Sequence, residues 1–135
     1  MESNTPRGIR NHNPGNIRYN GTAWLGLANP PSDGAFCIFR EPKFGIRALA
    51  TILRNYKRKY GICSVSGIIA RFAPSSENDT AAYIRSVCAA VGCGADTPLD
   101  TESEAVLLPL VKAIVRHENG RQPYIDEQIM EGLRC

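Results

Sequence analysis

Two histidines, five cysteines and 13 acidic side chains are the groups able to do acid–base or covalent chemistry in this chain of 135 residues. His12 and His117 are too few for a multi-histidine metal centre, and a Ser-His-Asp catalyst would have to use one of them. Cys37, Cys63, Cys88, Cys93 and Cys135 are odd in number and contain no Cys-x-x-Cys pair; with no histidine near Cys88 and Cys93, they read as free or buried thiols. No metal and no cofactor are expected. Carboxylates remain as the chemical actors. The most informative stretch is Leu110-Val-Lys-Ala-Ile-Val-Arg-His-Glu-Asn-Gly120, an apolar helical run that ends in His117, Glu118 and Asn119. A carboxyl group at the C-terminal end of a buried helix faces the negative end of the helix dipole away from water, which favours its protonated form. That is the form a general acid needs to give a proton to a leaving glycosidic oxygen. Periodicity alone favours a solvated glutamate at a fraying helix end over a general acid.

The composition describes the fold that must position such a group. With 43% hydrophobic and 21% charged residues and a net charge of +3, the chain reads as one domain over residues 1–135, long enough to bury about two thirds of its unfolded surface. No apolar run approaches the ~20 residues that span a bilayer, and the N-terminus has no signal-peptide core. Synthesis in the cytoplasm without membrane insertion is expected. The first forty residues hold Pro6, Pro14, Pro30, Pro31 and several glycines and asparagines, which exclude a long helix and fit a small hairpin with extended pieces at 16–19 and 35–39. From Phe44 the period becomes helical: Ile46, Leu49, Leu53, Tyr56 and Tyr60 precede a stop at Gly61. Further helices are predicted from Ser64 to Pro74, from Asn78-Asp79-Thr80 to Gly92, from a Thr101/Glu104 capping box to Gly120 with a kink at Pro109, and from Pro123 or Tyr124 to about Met130. The fold class is mainly α, an α+β domain with a small N-terminal β-hairpin region.

The stretches Arg7-Gly-Ile-Arg-Asn-His-Asn-Pro-Gly-Asn-Ile-Arg-Tyr19, Trp24-Leu-Gly26, Phe36-Cys-Ile-Phe39, Gly45-Ile-Arg-Ala48 and His117-Glu-Asn-Gly120 resemble small phage and prophage virion-associated proteins of the lysozyme-like type. The resemblance covers nearly the whole chain. A more distant similarity is to bacterial glucosaminidases and lytic transglycosylases. In these, a helix ending in a catalytic glutamate precedes an Asn-rich turn, a Trp hairpin, a helix and a helix carrying a tyrosine. Here the later elements occur in that order, while the Glu-bearing helix stands at the other end. The resemblance therefore implies a circularly permuted lysozyme-like helical domain that degrades peptidoglycan.

On that mapping Glu118 is the general acid and then the base. Tyr83 lies across a cleft from it, binding sugar or steadying the transition state, or else packs in the core. Asn13 and Asn16 order their turn through local bonds or orient an acetamido group, and Trp24 is either a sugar-stacking platform or a core residue. A His117–Glu118 dyad is disfavoured, because adjacent helical residues diverge by ~100°. Retaining and inverting hydrolases need a second carboxylate, for which Asp33, Glu41, Glu77 and Asp79 are candidates; Asp79 and Glu41 also suit helix starts. Without an unambiguous partner, a single-acid mechanism is favoured. Arg54, Lys57, Arg58 and Lys59 read as a solvated helix face, and no nucleic-acid module is matched. The expected partners are bacterial peptidoglycan and other virion proteins. Action in the periplasm or cell wall would then follow virion delivery, holin release or secretion, with targeting supplied by partners. Cleavage of peptide stems on the same fold, and a non-catalytic virion role, are the competing functions.

Overall fold

A computed structural model describes residues 4–74 and 79–135. It is mainly helical: α1 (Arg7–Arg10), α2 (Pro42–Tyr60), α3 (Val65–Phe72), α4 (Thr80–Val91), α5 (Glu104–Asn119) and α6 (Asp126–Arg134), with a two-stranded antiparallel sheet of β1 (Leu27–Ser32) and β2 (Cys37–Phe39) near the N-terminus. No helix among the described residues is long and apolar enough to cross a membrane.

The helix boundaries follow from local chemistry. Pro42 opens α2, where its fixed φ suits the first turn and its missing N–H costs no bond. Gly61 ends α2 in the left-handed region at φ 68°, a conformation glycine adopts without a Cβ clash. Ser64 caps α3 by accepting from the Gly67 N–H, and Asp79 caps α4 by accepting from Ala82 N–H. Helix α2, with its buried stripe Ile46, Leu49 and Leu53, packs chiefly against α6, whose buried residues are Ile129, Gly132 and Leu133, and α4 lies along α5. Gly132 permits the close approach of α6, since a Cβ there would stand 2.5 Å from Ile46 Cγ2. Helix α5 is the hub, in contact with α1, α2, α4 and α6, and Leu107, Leu110, Val111, Ile114 and Val115 are all fully buried.

Several bounds differ from the sequence expectations: α1 has no counterpart among them, and α6 runs on to Arg134 rather than ending at about Met130. The sheet uses Leu27–Ser32, not residues 16–19, as its first strand; Arg18 makes only an isolated bridge to Phe36. Pro30 and Pro31 hide β1 from a strand search, yet an edge strand with a register irregularity tolerates them. Helix α5 starts at Glu104 with Ser103 at its N-cap, whereas Thr101 is wholly buried in the preceding turn. Ion pairs from Lys57 to Asp100 and from Arg58 to Glu102 anchor that turn against α2. Finally, α6 begins three residues after Pro123, because the Gln122 side chain bonds both the N–H and the carbonyl of Tyr124 and holds this segment outside the helix. Pro109 lies inside α5, which runs unbroken through it.

The N-terminal segment is fastened by polar contacts. Asn13, fully buried, accepts from Ile17 N–H and donates to the carbonyls of Ile17 and Cys37. At the β-turn, Asp33 accepts from Arg7 Nε at 2.6 Å, from Asn11 Nδ2 at 2.9 Å and from the Phe36 and Ala35 N–H groups. The Arg7 guanidinium, followed by the Phe36 N–H, holds the Asp33 carboxyl far below the ordinary carboxylate range. A depressed folded-state value stabilises the protein fully above the unfolded value of about 4 and is lost as pH falls below it. Acid melts of Asp33→Asn should therefore show a shallower loss of stability below about pH 4 than the parent protein, and superimposable slopes would remove this ion pair from the account.

Candidate active site

The last turn of α5 carries Glu118 to the rim of the buried core, where it is half-buried. Gly120, in the left-handed region at φ 75°, stops the helix directly behind it. Two segments remote in sequence then grip the carboxylate. From α4, the hydroxyl of the fully buried Tyr83 donates to Glu118 Oε2 at 2.8 Å. From the N-terminal turn, Asn16 Nδ2 donates to Glu118 Oε1 at 2.9 Å. Asn16 adopts φ 51°, a left-handed conformation that asparagine tolerates better than most residues, and this turns its amide toward α5.

The electrostatics fix the direction of these bonds. Burial first, and the adjacent Glu118 second, push the Tyr83 phenol above its ordinary range, so it stays protonated and serves only as a donor to the carboxylate. A carboxylate has about four acceptor lone-pair positions, and the two donors occupy one on each oxygen. The remaining positions meet no other donor among the described residues and can take a proton or accept from a substrate hydroxyl. The His117 ring stacks on Tyr83, with centroids 3.7 Å apart and planes 20° from parallel, so His117 covers the tyrosine rather than pairing with Glu118.

Two further residues build this constellation and were not singled out in the sequence. Asn119, buried beside Glu118, donates through Nδ2 to the Pro14 carbonyl at 2.8 Å and to Val115 O at 2.9 Å, which ties the Asn16 turn to α5. Its Oδ1 has no hydrogen-bond partner. That oxygen, Asn16 Oδ1 and the Asn13 carbonyl crowd around Gly8, where a Cβ would lie 2.5 to 2.8 Å from all three. Gly8 thus allows α1 to close over the turn. Adjacency of Asn119 to Glu118 was the available signal, but only the fold shows what its amide reaches.

Glu118 opens into a groove of about 690 Å³ lined by Asn16, Arg18, Phe36, Tyr56, Arg71 and Phe72 among others. A second depression of about 380 Å³ shares Ile17, Arg18, Asn20, Ile52, Tyr56 and Arg71 with it and extends to Trp24, Lys59 and Tyr60. Trp24 therefore stands at the far end of the same groove, half-buried. Among the described residues lining either part, Glu118 is the only carboxylate. The other sequence candidates lie elsewhere. Asn13 is spent on backbone bonds, and Asp33 is locked to Arg7 in the β-turn. Glu41 is exposed at the N-cap of α2 with no side-chain cap bond, and Asp79 caps α4. Glu77 lies outside the described residues. The described residues contain no group of three or more His, Cys, Asp or Glu side chains able to hold a metal ion.

No protein-family model matches the chain. "Protein P5" of Pseudoalteromonas phage PM2 is 41% identical to it over 130 residues, an alignment that covers 94% of this chain and 79% of the phage protein. The chain belongs to the P5 family. Its phage relative accords with the phage character read from the N-terminal motifs. The alignment takes in nearly the whole P5-like chain, so it is not confined to one helix or to the groove.

Proposed function

We propose that this P5-family protein cleaves the glycan strand of bacterial peptidoglycan, between N-acetylmuramic acid and N-acetylglucosamine, with Glu118 as general acid and then base. The observation that carries the reading is the carboxylate itself. It ends a buried helix, is held by Tyr83 and Asn16, and is the sole carboxylate among the described residues lining a groove that continues to Trp24. Asn16, Ile17, Arg18 and Asn20 line the groove with Glu118, as the permuted lysozyme-like reading requires of the 13–26 region; Tyr83 is instead wholly buried behind the carboxylate and lines neither part of the groove, so its role is to hold Glu118, not to touch sugar.

A lone carboxyl favours lytic-transglycosylase chemistry over a two-carboxylate hydrolase. In the first step the Glu118 proton passes to the glycosidic oxygen as the bond to the anomeric carbon breaks. The ionised Glu118 then takes the proton of the muramic acid C6 hydroxyl as its oxygen attacks that carbon, closing a 1,6-anhydro ring. Tyr83 and Asn16 hold the carboxylate in place through both steps. Loss of one charge-assisted hydrogen bond removes about 1.5 kcal/mol or more, so Tyr83→Phe and Asn16→Ala should each slow cleavage about tenfold or more. The measurement is the initial rate of fragment release from sacculi, and rates equal to the parent's would remove both residues from the mechanism.

Incubating the protein with purified sacculi and identifying the products by mass spectrometry tests the reaction class. Anhydromuramyl ends are expected; reducing ends would indicate a muramidase, and free peptide ends an endopeptidase. A non-catalytic virion component is the second reading, favoured by a relative that comes from a phage and bears no enzyme name. It predicts no fragments at all.

A further inference from the structure

The groove is more basic than a neutral sugar polymer requires. Besides Glu118, the charged side chains lining its two parts are Arg18, Lys59 and Arg71. Outside the groove several cations pair with carboxylates, as in Lys57–Asp100, Arg58–Glu102 and Arg134–Glu104. Arg71 is arranged differently. Its guanidinium lies 3.9 Å from the centroid of the Tyr60 ring and 5.6 Å from that of Tyr56 and forms no ion pair among the described residues, so two tyrosines hold it at the groove where it can meet an anion. Lys59 shares the Arg71 and Tyr60 depression, away from Glu118.

Resting on the glycan-cleavage reading, we propose that this end of the groove binds the free carboxylates of peptidoglycan stem peptides. The preferred substrate is then a peptide-bearing strand, not a bare glycan. The chemistry supports that choice of ligand. N-acetylated sugars carry no charge, and the lactyl carboxyl of muramic acid is consumed in its amide bond to the peptide. Carboxylates displaced sideways from the scissile bond therefore belong to the stems. A guanidinium held flat by aromatic rings recognises a carboxylate through two parallel hydrogen bonds, and an ammonium beside it adds attraction without fixed geometry.

Binding tests this without any need for bond cleavage. Glu118→Gln protein is sedimented with native sacculi and with sacculi whose carboxyl groups have been converted to primary amides by carbodiimide and ammonia. Native sacculi should bind about tenfold more tightly, the loss expected on removing one charge-assisted contact. Adding Arg71→Gln or Lys59→Gln should abolish most of that preference, while Arg71→Lys should retain part of it. Thermal melts establish that each variant is folded, and the two sites provide independent variants. Equal binding to native and amidated sacculi, or a preference that survives both glutamine substitutions, overturns the proposal. So does displacement of the protein by a single-stranded oligonucleotide at concentrations where soluble stem peptide has no effect, which would assign the patch to nucleic acid. The glycan-cleavage reading fails separately, if unmodified protein releases no fragments from native sacculi.

Discussion

Glu118→Gln is expected to reduce glycan cleavage by about 10²- to 10⁴-fold, the range contributed by a positioned general acid–base group. Glutamine keeps the shape of glutamate but can neither give up nor accept the catalytic proton at neutral pH. The surroundings predict a second, smaller effect. Tyr83 and Asn16 present donors to both carboxylate oxygens, and glutamine offers an acceptor to only one of them. One donor then lacks its partner, which costs about 1 to 3 kcal/mol if it stays shielded from water. A modestly lower melting temperature combined with an almost complete loss of cleavage is the expected pattern. Retained cleavage would remove Glu118 from the mechanism, whatever the melting temperature.

Gly45→Ala should destabilise the protein by about 2 to 4 kcal/mol, at the upper end of the range for overpacking a filled interior. The sign runs against helix propensity, since alanine in a helix is ordinarily better than glycine by about 1 kcal/mol. Gly45 lies in the first turn of α2, where a Cβ would overlap the carbonyl oxygen of His12 and stand 3.0 Å from Pro14 Cδ. Backbone is the obstacle, so no side-chain rotation relieves it. The displaced segment leads directly to Asn16, which donates to Glu118. Gly45→Ala should therefore also lower cleavage at temperatures where the variant is still folded. Denaturant melts give the stability change, and a variant as stable as the parent would show that the 12–14 segment yields to α2 without cost.

The helical part of the fold was legible because its signals are local. Ile46, Leu49 and Leu53 mark the buried face of α2, Gly61 marks its end, and Ser64 and Asp79 make the cap bonds their positions imply. Strand β1 was not legible, because Pro30 and Pro31 read as breakers while an edge strand admits them. The starts of α5 and α6 were misplaced for another reason. Long-range ion pairs hold the residue 100–102 turn, and the Gln122 side chain holds Tyr124 out of the helix; neither contact leaves a periodic trace. The site divides in the same way. A glutamate closing an apolar helix before a glycine is visible along the chain. That Tyr83, 35 positions away, and Asn16, 102 positions away, meet its two oxygens is a property of packing, approached beforehand only through family resemblance. Asn119 offered only its adjacency to Glu118 and Gly8 offered nothing, because their roles exist only where α1, α5 and the Asn16 turn converge.

Whether Glu118 breaks the glycan strand is decided by a paired time course of soluble muropeptide release from sacculi. Parent and Glu118→Gln proteins would be compared at equal concentration, below the melting temperature of both. The parent should release fragments with anhydromuramyl ends steadily, and the variant about 10²-fold less or lower. Equal release by the two proteins, or none by the parent, would contradict that role for Glu118.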